Sequence, residues 1–565
     1  MNLLASKSFK QSTLGLFEEN NHLTHIELAE QFSLQIEGKN LAQKNSGKFY
    51  TPESIAAPLI SQALAAAKLK NRKGTIRIID PFCGDGRLIK WMLPHLQEFN
   101  LDFEIHLWDY DRDAVSQASS QVKNLAQQLG LRFKVHAKKA DSFSEFFGNW
   151  DHTFDLVITN PPWEIVKPDP KDLEHVDEQK KIEYIARLKE FSNRLLRDFP
   201  LSKPAKSYGG WGVNLARVGT ELSVRLAKSG GVAAIVAPST IFADQNSSEL
   251  RKWLFSSNYI QNINVYPAEL KLFAGVDQPS VSFILLRDKQ QEKLNVSNYH
   301  NFAKPISHQL ENVEALLRST DYVFPISIAS SPSHLKILST FSAFSKLSDL
   351  EVDQNVWLGR ELDETNHQVW LSRQGKYRFV KGRDVDRFNM MGTSEVFVNE
   401  EMLEGNLPVS INYHRIVWRD VSRPTQKRRV IATMVPPGYV TGNSLGVMHI
   451  KSSESEEGLA TLLGLISSFV FEFQLRAYLA TAHVSAGVMK KVRIPTWNKA
   501  FVDRTSKLVA KRMNGVASDE YQLEVDIAKA YGLNRNQFSE VLNAFPKVSE
   551  MERDALLSTN LWNHA

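Results

Sequence analysis

The stretch that decides the fold is Phe154-Asp155-Leu156-Val157-Ile158-Thr159-Asn160-Pro161-Pro162-Trp163. Its first six residues form a largely apolar run that predicts a buried strand, and the two prolines end that strand abruptly. Because proline fixes its own φ and favours extended backbone in the residue before it, Asn160 should lie on stiff backbone. An amide side chain, a proline carbonyl and an indole ring are therefore expected together at the carboxyl end of a strand. In open α/β sheets, ligands bind at that edge.

Length and composition limit the class of protein. The chain has 565 residues, of which 42% are hydrophobic and 23% charged, and this predicts a globular protein of two or three domains. The single cysteine, Cys83, excludes an intrachain disulfide and any multi-cysteine metal site. We therefore expect no metal and a cytoplasmic location, because neither a signal peptide nor a membrane-spanning stretch is evident. The formal net charge of +5 permits nucleic-acid binding without establishing it.

Upstream of the opening stretch, acidic residues follow successive predicted strands. The strands 75–79 and 103–108 are followed by Asp80 and Asp109, and a third strand, 131–135, leads to Asp141 and Ser142. The first strand continues into Asp80-Pro81-Phe82-Cys83-Gly84-Asp85-Gly86, and a helix is predicted from about Arg87. Glycines at a strand-to-helix turn allow a ligand to approach the backbone. Strands that alternate with helices predict a parallel, doubly wound sheet.

The remaining segments complete a predicted domain plan. Residues 1–46 are expected to be a helical segment, and residues 47–290 a catalytic domain in which Thr51 caps a helix that starts at Pro52. A charged helical insertion, about 165–206, is interpreted as a solvated cover. Strands at 260–266 and 280–286 suit an antiparallel hairpin at the edge of the sheet. Residues 300–500 are expected to form a second domain, and residues 501–565 a helical C-terminal segment.

The tetrad Asn160-Pro161-Pro162-Trp163 suits methyl transfer to a planar amine. The nitrogen lone pair of such an amine is delocalised, and two rigid acceptors that take both hydrogens would localise it. The Asn160 side-chain oxygen and the Pro161 carbonyl are two such acceptors, and Trp163 offers a face on which a base stacks, typically worth about 1–3 kcal/mol.

The methyl donor would lie beside the tetrad. Asp80, Asp109 and Asp141 can hold, in that order, the amino-acid portion, the ribose and the adenine amine of S-adenosylmethionine. Taken singly, each acid is more simply explained as a cap or turn residue. Their order at successive strand ends favours a cofactor site. Cys83 is interpreted as a packing residue of the glycine turn, because no histidine partner is evident.

The order of these motifs resembles the gamma class of DNA adenine-N6 methyltransferases over residues 40–290. The resemblance implies a Rossmann-like doubly wound methyltransferase sheet that transfers a methyl group to the N6 amine of a flipped-out adenine in duplex DNA. It also implies that Phe273 packs on the base opposite Trp163. The family often has Tyr or Phe where Trp163 stands, and a bulky aromatic where Arg87-Leu88 stand. The implied cofactor contacts are Phe49, Tyr50, Thr51, Asp80, Cys83, Gly84, Gly86, Asp109, Asp141, Ser142 and Asn160.

The arginine-rich second half resembles the target-recognition domains of restriction-modification enzymes. The matching stretches are Gly359-Arg360, Lys381-Gly382-Arg383-Asp384-Val385, Trp418-Arg419-Asp420 and Val435-Pro436-Pro437. The methyltransferases that accompany the Alw26I/Eco31I/Esp3I endonucleases look most similar, which implies a C-terminal mixed α+β domain. An arginine can read guanine or neutralise phosphate, and Arg383 and Arg387 could instead pair with local acids. The implied DNA contacts are Arg360, Lys381, Arg383, Arg387, Arg419, Arg423, Lys427 and Arg428.

These features favour a DNA methyltransferase that protects host DNA, acts as a monomer and works beside a separate cognate restriction endonuclease. Two alternatives stay open: methylation of an RNA base or a protein glutamine by the same chemistry, and a catalytically silent DNA-binding subunit. The long chain beyond the catalytic fold argues against the glutamine substrate. The intact tetrad and the three acids argue against a silent subunit.

Overall fold

A computed structural model of the chain divides into two compact units, Met1–Ala315 and Leu316–Ala565. The predicted helical segment 1–46 lies outside the described residues except for Gln35–Ile36 and Lys39–Asn40, which form a short antiparallel strand pair instead of helix. Phe49 also lies outside them. The structure describes residues 35–36, 39–40 and 50–563, without 170–172, 175, 206–210, 274–277, 300–303, 312, 321, 327–330, 354–355, 365–370, 393–394, 400–408, 424–425, 451–455, 480–481 and 517–518.

The first unit is built on a mixed sheet with nine strands among the described residues. Their order is β9-β8-β6-β7-β5-β4-β1-β2-β3. The five strands from β5 to β3 in that order are parallel, while β7 runs antiparallel to both β5 and β6. The strands are β1 Thr75–Asp80, β2 Asp102–Asp109, β3 Arg132–Lys139, β4 Phe154–Thr159, β5 Ala227–Pro238, β6 Tyr259–Tyr266, β7 Ser280–Leu286, β8 Leu294–Asn298 and β9 Ile306–Leu310.

Helices connect the strands of this sheet, as the alternating pattern predicts. Every residue of β4 is buried, so the decisive stretch is a central strand with the predicted bounds. The α/β class and the Rossmann-like sheet are confirmed. The helices of the first unit are α1 Glu53–Ala67, α2 Arg87–Leu96, α3 Arg112–Gln128, α4 Ser142–Glu145, α5 Glu178–Asp198, α6 Leu215–Leu226, α7 Thr240–Ala243 and α8 Ser248–Ser256; α9 Val313–Ser319 contains the unit boundary.

Two local predictions are wrong. The β6–β7 pair is antiparallel as expected but does not lie at the edge, because β8 adds to β6 in parallel and β9 then pairs with β8. Leu294 and Val296 of β8 are fully buried, and this apolar face extends the sheet. Helix α1 begins one residue later than predicted: Pro52 is its N-cap, and its carbonyl accepts the N–H groups of Ile55 and Ala56.

The second unit combines small sheets with a helical region. Within the described residues, the strands β11-β20-β17-β18 form one antiparallel sheet and β12-β16-β13-β19 a mixed one. Its strands are β10 Ser345–Lys346, β11 Val356–Gly359, β12 Leu371–Ser372, β13 Tyr377–Val380, β14 Val385–Asp386, β15 Asn389–Met390, β16 Phe397–Val398, β17 Arg415–Arg419, β18 Ala432–Val435, β19 Tyr439–Thr441, β20 Leu445–Ile450 and β21 Arg493–Ile494.

Most helices of the second unit follow its last long strand. Among the described residues, no single helix is long and apolar enough to cross a bilayer. The consecutive helices Glu456–Ile466 and Phe469–Tyr478 reach that measure together by length and composition alone, but the chain bends sharply between them. The helices are α10 Pro332–Thr340, α11 Leu350–Asp353, α12 Glu456–Ile466, α13 Phe469–Tyr478, α14 Ala486–Met489, α15 Lys499–Met513, α16 Glu520–Ala530, α17 Arg535–Asn543, α18 Glu550–Leu556 and α19 Thr559–Asn563.

Candidate active site

The tetrad lies at the carboxyl end of β4, and its aromatic residue contacts its amide. The indole Nε1–H of Trp163 donates a hydrogen bond to Oδ1 of Asn160 at 3.0 Å. The Trp163 ring also packs edge-on against Phe273, with ring centroids 4.7 Å apart and an interplanar angle of 64°. Both rings are buried. Because these two rings touch, a base can enter between them only if they separate.

A glycine on α6 sets the position of Pro161. A Cβ placed on Gly219 would lie only 2.4 Å from Cβ of Pro161, so the helix can approach the tetrad this closely only with glycine at that position. We did not predict this role from the sequence. The available signal was a glycine inside an apolar helical stretch, which usually has a packing reason.

Asp80 connects the tetrad strand to the first cofactor strand. Its Oδ1 accepts hydrogen bonds from Thr159 Oγ1 at 2.7 Å and from the Phe82 backbone N–H at 3.1 Å. Burial raises the pKa of Asp80 to about 7, against the lowering effect of these two hydrogen bonds. Asp80 is therefore hydrogen-bonded to Thr159, the residue that precedes Asn160.

The glycine turn after β1 is fixed by the acid at the end of β2. Oδ2 of Asp109 accepts the backbone N–H of Gly84 at 2.8 Å. Gly84 and Gly86 have φ of +47° and +75°, a region in which residues with a Cβ are strained. Burial raises the pKa of the Cys83 thiol well above its ordinary value, so this thiol stays protonated at neutral pH and acts as a packing group.

The segment before α1 lies against the same turn. Tyr50 is half-exposed, and its Cε1 is 3.6 Å from the position that a Cβ on Gly84 would take. The guanidinium of Arg87 stacks over the Tyr50 ring at 4.3 Å and also contacts Asp85. Arg87 therefore packs on an aromatic side chain. Thr51 is buried.

The third acid is held by the insertion. Asp141 accepts hydrogen bonds from the Phe143 N–H at 3.2 Å, from Ser144 Oγ at 2.7 Å and from Nη2 of Arg194 at 3.2 Å. Arg194 belongs to α5, whose inner face is buried, so the insertion packs on the rest of the unit and also holds one of the predicted cofactor acids. Ser142 donates its hydroxyl to the Pro81 carbonyl, which links β3 to the glycine turn.

The arrangement fits S-adenosylmethionine. The acids belong to the carboxyl ends of three adjacent strands, β1, β2 and β3, and the tetrad follows β4 beside β1. The positive-φ glycines open the backbone between the first two acids. Carboxylates suit the ammonium, hydroxyl and amine groups of this cofactor, and no other resident group is needed to explain the site.

In the second unit, the residues predicted to contact DNA differ in how much of each side chain is buried. Arg383 keeps 76% of its side chain exposed and Arg360 keeps 49%. Arg423 and Lys427 are also exposed, although Lys427 pairs with Glu552. Lys381 and Arg419 are half-buried: Lys381 pairs with Glu364 at 2.8 Å, and Arg419 donates to the Val385 carbonyl at 2.8 Å.

The structure corrects two of these predictions. Arg428 is buried, with Glu472 at 3.0 Å and Glu524 at 3.1 Å, and it lies 3.8 Å from the centre of the Phe469 ring. Arg387 is largely buried and pairs with Glu520 at 2.6 Å. A guanidinium that is removed from water and paired with carboxylates is not available to DNA. Both arginines hold the fold together.

Comparison with known proteins locates the catalytic segment. Residues 95–273 match the family model described as the Eco57I restriction-modification methylase. This segment is similar to restriction-modification methylases. It contains β2 to β6 and the tetrad, and the cofactor of the domain is S-adenosylmethionine.

Among solved structures, the type IIL restriction-modification enzyme MmeI in complex with DNA aligns over 95% of this chain and 81% of its own, with 13% identity and a TM-score of 0.52. At that identity the similarity shows the fold alone. The type IIG restriction endonuclease BpuSI aligns over 94% of this chain and 68% of its own, with 14% identity and a TM-score of 0.41. A class I S-adenosylmethionine-dependent methyltransferase from Listeria monocytogenes covers 54% of this chain and 82% of its own, with 17% identity and a TM-score of 0.33.

Proposed function

We propose that the protein is a site-specific DNA methyltransferase that transfers the methyl group of S-adenosylmethionine to the N6 amine of an adenine flipped out of duplex DNA. The observation that carries the proposal is the hydrogen bond from Thr159 to Asp80. It joins the strand that ends in the amine acceptor to the strand that begins the cofactor site. Donor and acceptor sites therefore adjoin at one edge of the sheet.

The chain supplies positioning and electrostatics to this reaction. When bound, S-adenosylmethionine supplies an electrophilic methyl group on a sulfonium. Asn160 Oδ1 and the Pro161 carbonyl accept the two amine hydrogens and localise the nitrogen lone pair, which forms the new N–C bond. The C–S bond breaks with its electrons on sulfur, and the amine then loses one proton to water. The indole N–H of Trp163 occupies one of the two lone pairs of Asn160 Oδ1, and the second lone pair can accept a hydrogen of the amine.

The wider setting belongs to the same proposal. The gamma-class motif order supports adenine as the base, and Trp163 and Phe273 are proposed to close on its two faces. The methylase match supports a role in a restriction-modification system. Protection of host DNA, a separate endonuclease, a monomeric chain and a cytoplasmic location are further parts of the proposal. Residues 47–290 are proposed as the catalytic domain, residues 300–500 as a target-recognition domain and residues 501–565 as its helical support. Partner systems like those of Alw26I, Eco31I and Esp3I are proposed on motif resemblance.

The test is transfer of labelled methyl groups from S-adenosylmethionine to duplex DNA. Loss of one preorganised contact to the reacting group typically costs about 10²–10³ in kcat, so Asn160→Ala should lose at least that much while cofactor binding persists. Long-read modification mapping of a genome that expresses the gene then identifies the base and the site. Methylation of RNA or of a peptide, but not of DNA, would overturn the proposal.

A further inference from the structure

One buried carboxylate of the second unit holds two exposed nitrogen groups. Asp420 follows β17 and has 3% of its side chain exposed. Its Oδ1 lies 2.8 Å from Nη2 of Arg360, and its Oδ2 lies 2.8 Å from Nδ1 of His483. The side chains of Arg360 and His483 are 49% and 60% exposed. We call these three residues the Asp420 cluster.

The backbone around Arg360 is fixed on both sides. β11 pairs with β20 up to Gly359, the residue before Arg360. Glu361, the residue after it, is fully buried and accepts hydrogen bonds from Arg415, Ser410 and Thr441. An arginine whose backbone and head group are both held loses little rotamer freedom on binding.

The backbone around Asp420 is fixed as well. Its N–H donates to the Ser444 carbonyl at 2.9 Å, and its own carbonyl accepts the N–H of Val484 at 2.6 Å. That second bond joins the Asp420 segment to the loop that carries His483. Burial raises the pKa of Asp420, but the hydrogen bond with His483 and the ion pair with Arg360 outweigh it, so the pKa lies below its ordinary value and the group stays ionised.

Charge decides what such an arginine can recognise. The carboxylate of Asp420 offsets the charge of Arg360, which makes the pair a weak partner for phosphate. The guanidinium has five N–H donors, and contact with one carboxylate oxygen does not use all of them, while the Arg360 side chain is 49% exposed. A rigid donor pair with little net charge fits two adjacent acceptors on a neutral surface. In the DNA major groove, the O6 and N7 atoms of guanine are such a pair.

We propose that Arg360 reads a guanine of the recognition site through its O6 and N7 atoms, and that Asp420 and His483 act as positioning residues for that contact. This inference rests on the proposed DNA methyltransferase function. The inference distinguishes Arg360 from Arg383, whose side chain is 76% exposed. Nε of Arg383 lies 3.7 Å from Oδ1 of Asp384. Because this ion pair is longer and more exposed than that of Arg360, less of the charge of Arg383 is offset, and Arg383 is the comparison case of a phosphate-type cation.

The experiment uses the full chain and the site found by modification mapping. Methylation rates are measured on duplexes in which each base pair of the site is replaced in turn, for wild type, Arg360→Ala, Arg360→Lys, Asp420→Asn and His483→Ala. We expect both Arg360 variants to lose roughly 10- to 100-fold of discrimination at one G·C pair and to keep it elsewhere. Asp420→Asn and His483→Ala should lose part of the same discrimination. S-adenosylmethionine binding, which depends on the other unit, checks that each variant is folded there, and circular dichroism checks the whole chain.

Salt dependence supplies the second readout. Removal of a phosphate contact lowers the slope of log affinity against log salt by about 1, so Arg383→Ala should show that change on every sequence while Arg360→Ala leaves the slope unchanged. The inference is overturned if Arg360→Ala keeps full discrimination at every position, if it lowers the salt slope, or if Arg360→Lys behaves as wild type. A wild-type protein that methylates no DNA would overturn the proposed function and this inference together; a wild type that methylates one site while Arg360→Ala discriminates fully would overturn only the inference.

Discussion

At the scale of single residues, Asp80 has a strongly raised pKa. It is buried at the end of β1, and burial raises its pKa from 3.8 to about 7. A carboxyl whose folded-state pKa exceeds its unfolded value holds its proton in the folded protein between those two pH values. Its contribution to stability is therefore complete below about pH 4 and is lost as the pH rises through about 7. A bound cationic ammonium would offset that loss.

Asp80→Asn should remove this pH dependence. Only the two pH units between pH 5 and the folded-state pKa of about 7 contribute to the change, and they correspond to about 2.7 kcal/mol, so the free energy of unfolding of the variant relative to wild type should rise by about 2.7 kcal/mol between pH 5 and pH 8. Urea titrations that follow hydrogen exchange in β1 and β4 at both pH values measure this difference. The same variant should bind S-adenosylmethionine more weakly at pH 8. A pH-independent difference between the two proteins would show that Asp80 is not protonated in the folded state.

The residues that could be predicted from sequence are those whose signal is local. Asp80, Asp109 and the tetrad each follow a strand that the apolar pattern identifies, and strand ends meet at one edge of a parallel sheet. Arg194 and Arg428 could not be placed, because their partners are distant in the chain: Asp141 lies 53 residues from Arg194, and Glu524 lies 96 residues from Arg428. A count of arginines therefore overstated the surface charge of the second unit.

At the scale of elements, helix α6 packs against the tetrad at Pro161. Gly219 is the point of closest approach, and the neighbouring atom belongs to a proline ring that cannot rotate away. Gly219→Ala should displace either the helix or Pro161. Since a shift of about 1 Å at a reacting centre can cost about 100-fold, we expect methyl transfer to fall by about 10- to 100-fold while S-adenosylmethionine binding changes little.

The control for that variant is one turn away on the same helix. Ser223 donates its hydroxyl to the Gly219 carbonyl at 2.6 Å, and Ser223→Ala removes this bond without adding volume. Steady-state methylation should remain near wild type in Ser223→Ala. Equal losses in both variants would mean that α6 is merely destabilised and that the Pro161 contact has no separate role.

The insertion helix α5 makes a second contribution to the site at this scale. Arg194 pairs with Asp141 and is 15% exposed, so Arg194→Ala removes one of the hydrogen bonds that hold this acid in place. A hydrogen bond between charged groups is worth about 1.5–3 kcal/mol, and we expect the dissociation constant for S-adenosylmethionine to rise by about 10-fold. Arg197, on the same helix, is 74% exposed and, within the part of the chain that the structure describes, forms an ion pair only with its neighbour Asp198, so Arg197→Ala is the matched control. Calorimetric titration of both variants distinguishes them; equal affinities would contradict a role for α5.

At the scale of the whole molecule, cofactor and DNA chemistry are proposed to reside in different compact units. The second unit is organised by a buried network of charges around Glu472 on α13. This fully buried carboxylate accepts Nη2 of Arg476 at 2.8 Å, Nε of Arg428 at 3.0 Å and the backbone N–H of Arg429 at 2.8 Å. Burial raises its pKa, but the two arginines and the hydrogen bonds outweigh that effect and lower it to about 2. The network therefore joins the arginine-rich stretch to the helical region of the same unit.

Glu472→Gln tests whether the two units carry separate functions. The change leaves two buried guanidiniums short of a carboxylate, and breaking such a pair typically costs about 3–5 kcal/mol. Because the folded-state pKa lies below the unfolded value of 4.5, this stability is present above about pH 4.5 and is lost as the pH falls toward 2, so the loss is measured at pH 7.

We expect hydrogen exchange to accelerate in α13, α16 and β18 of the Glu472→Gln variant, and specific DNA binding to weaken. The strands β1 to β4 should keep their protection, and the first unit should keep its affinity for S-adenosylmethionine. Lys511→Gln, which breaks an exposed pair with Asp519, should change stability by less than about 1 kcal/mol. If Glu472→Gln lowered the affinity for S-adenosylmethionine as well as the affinity for DNA, the two functions would not reside in separate units. A change confined to the second unit would then have disabled the methyl-donor site of the first.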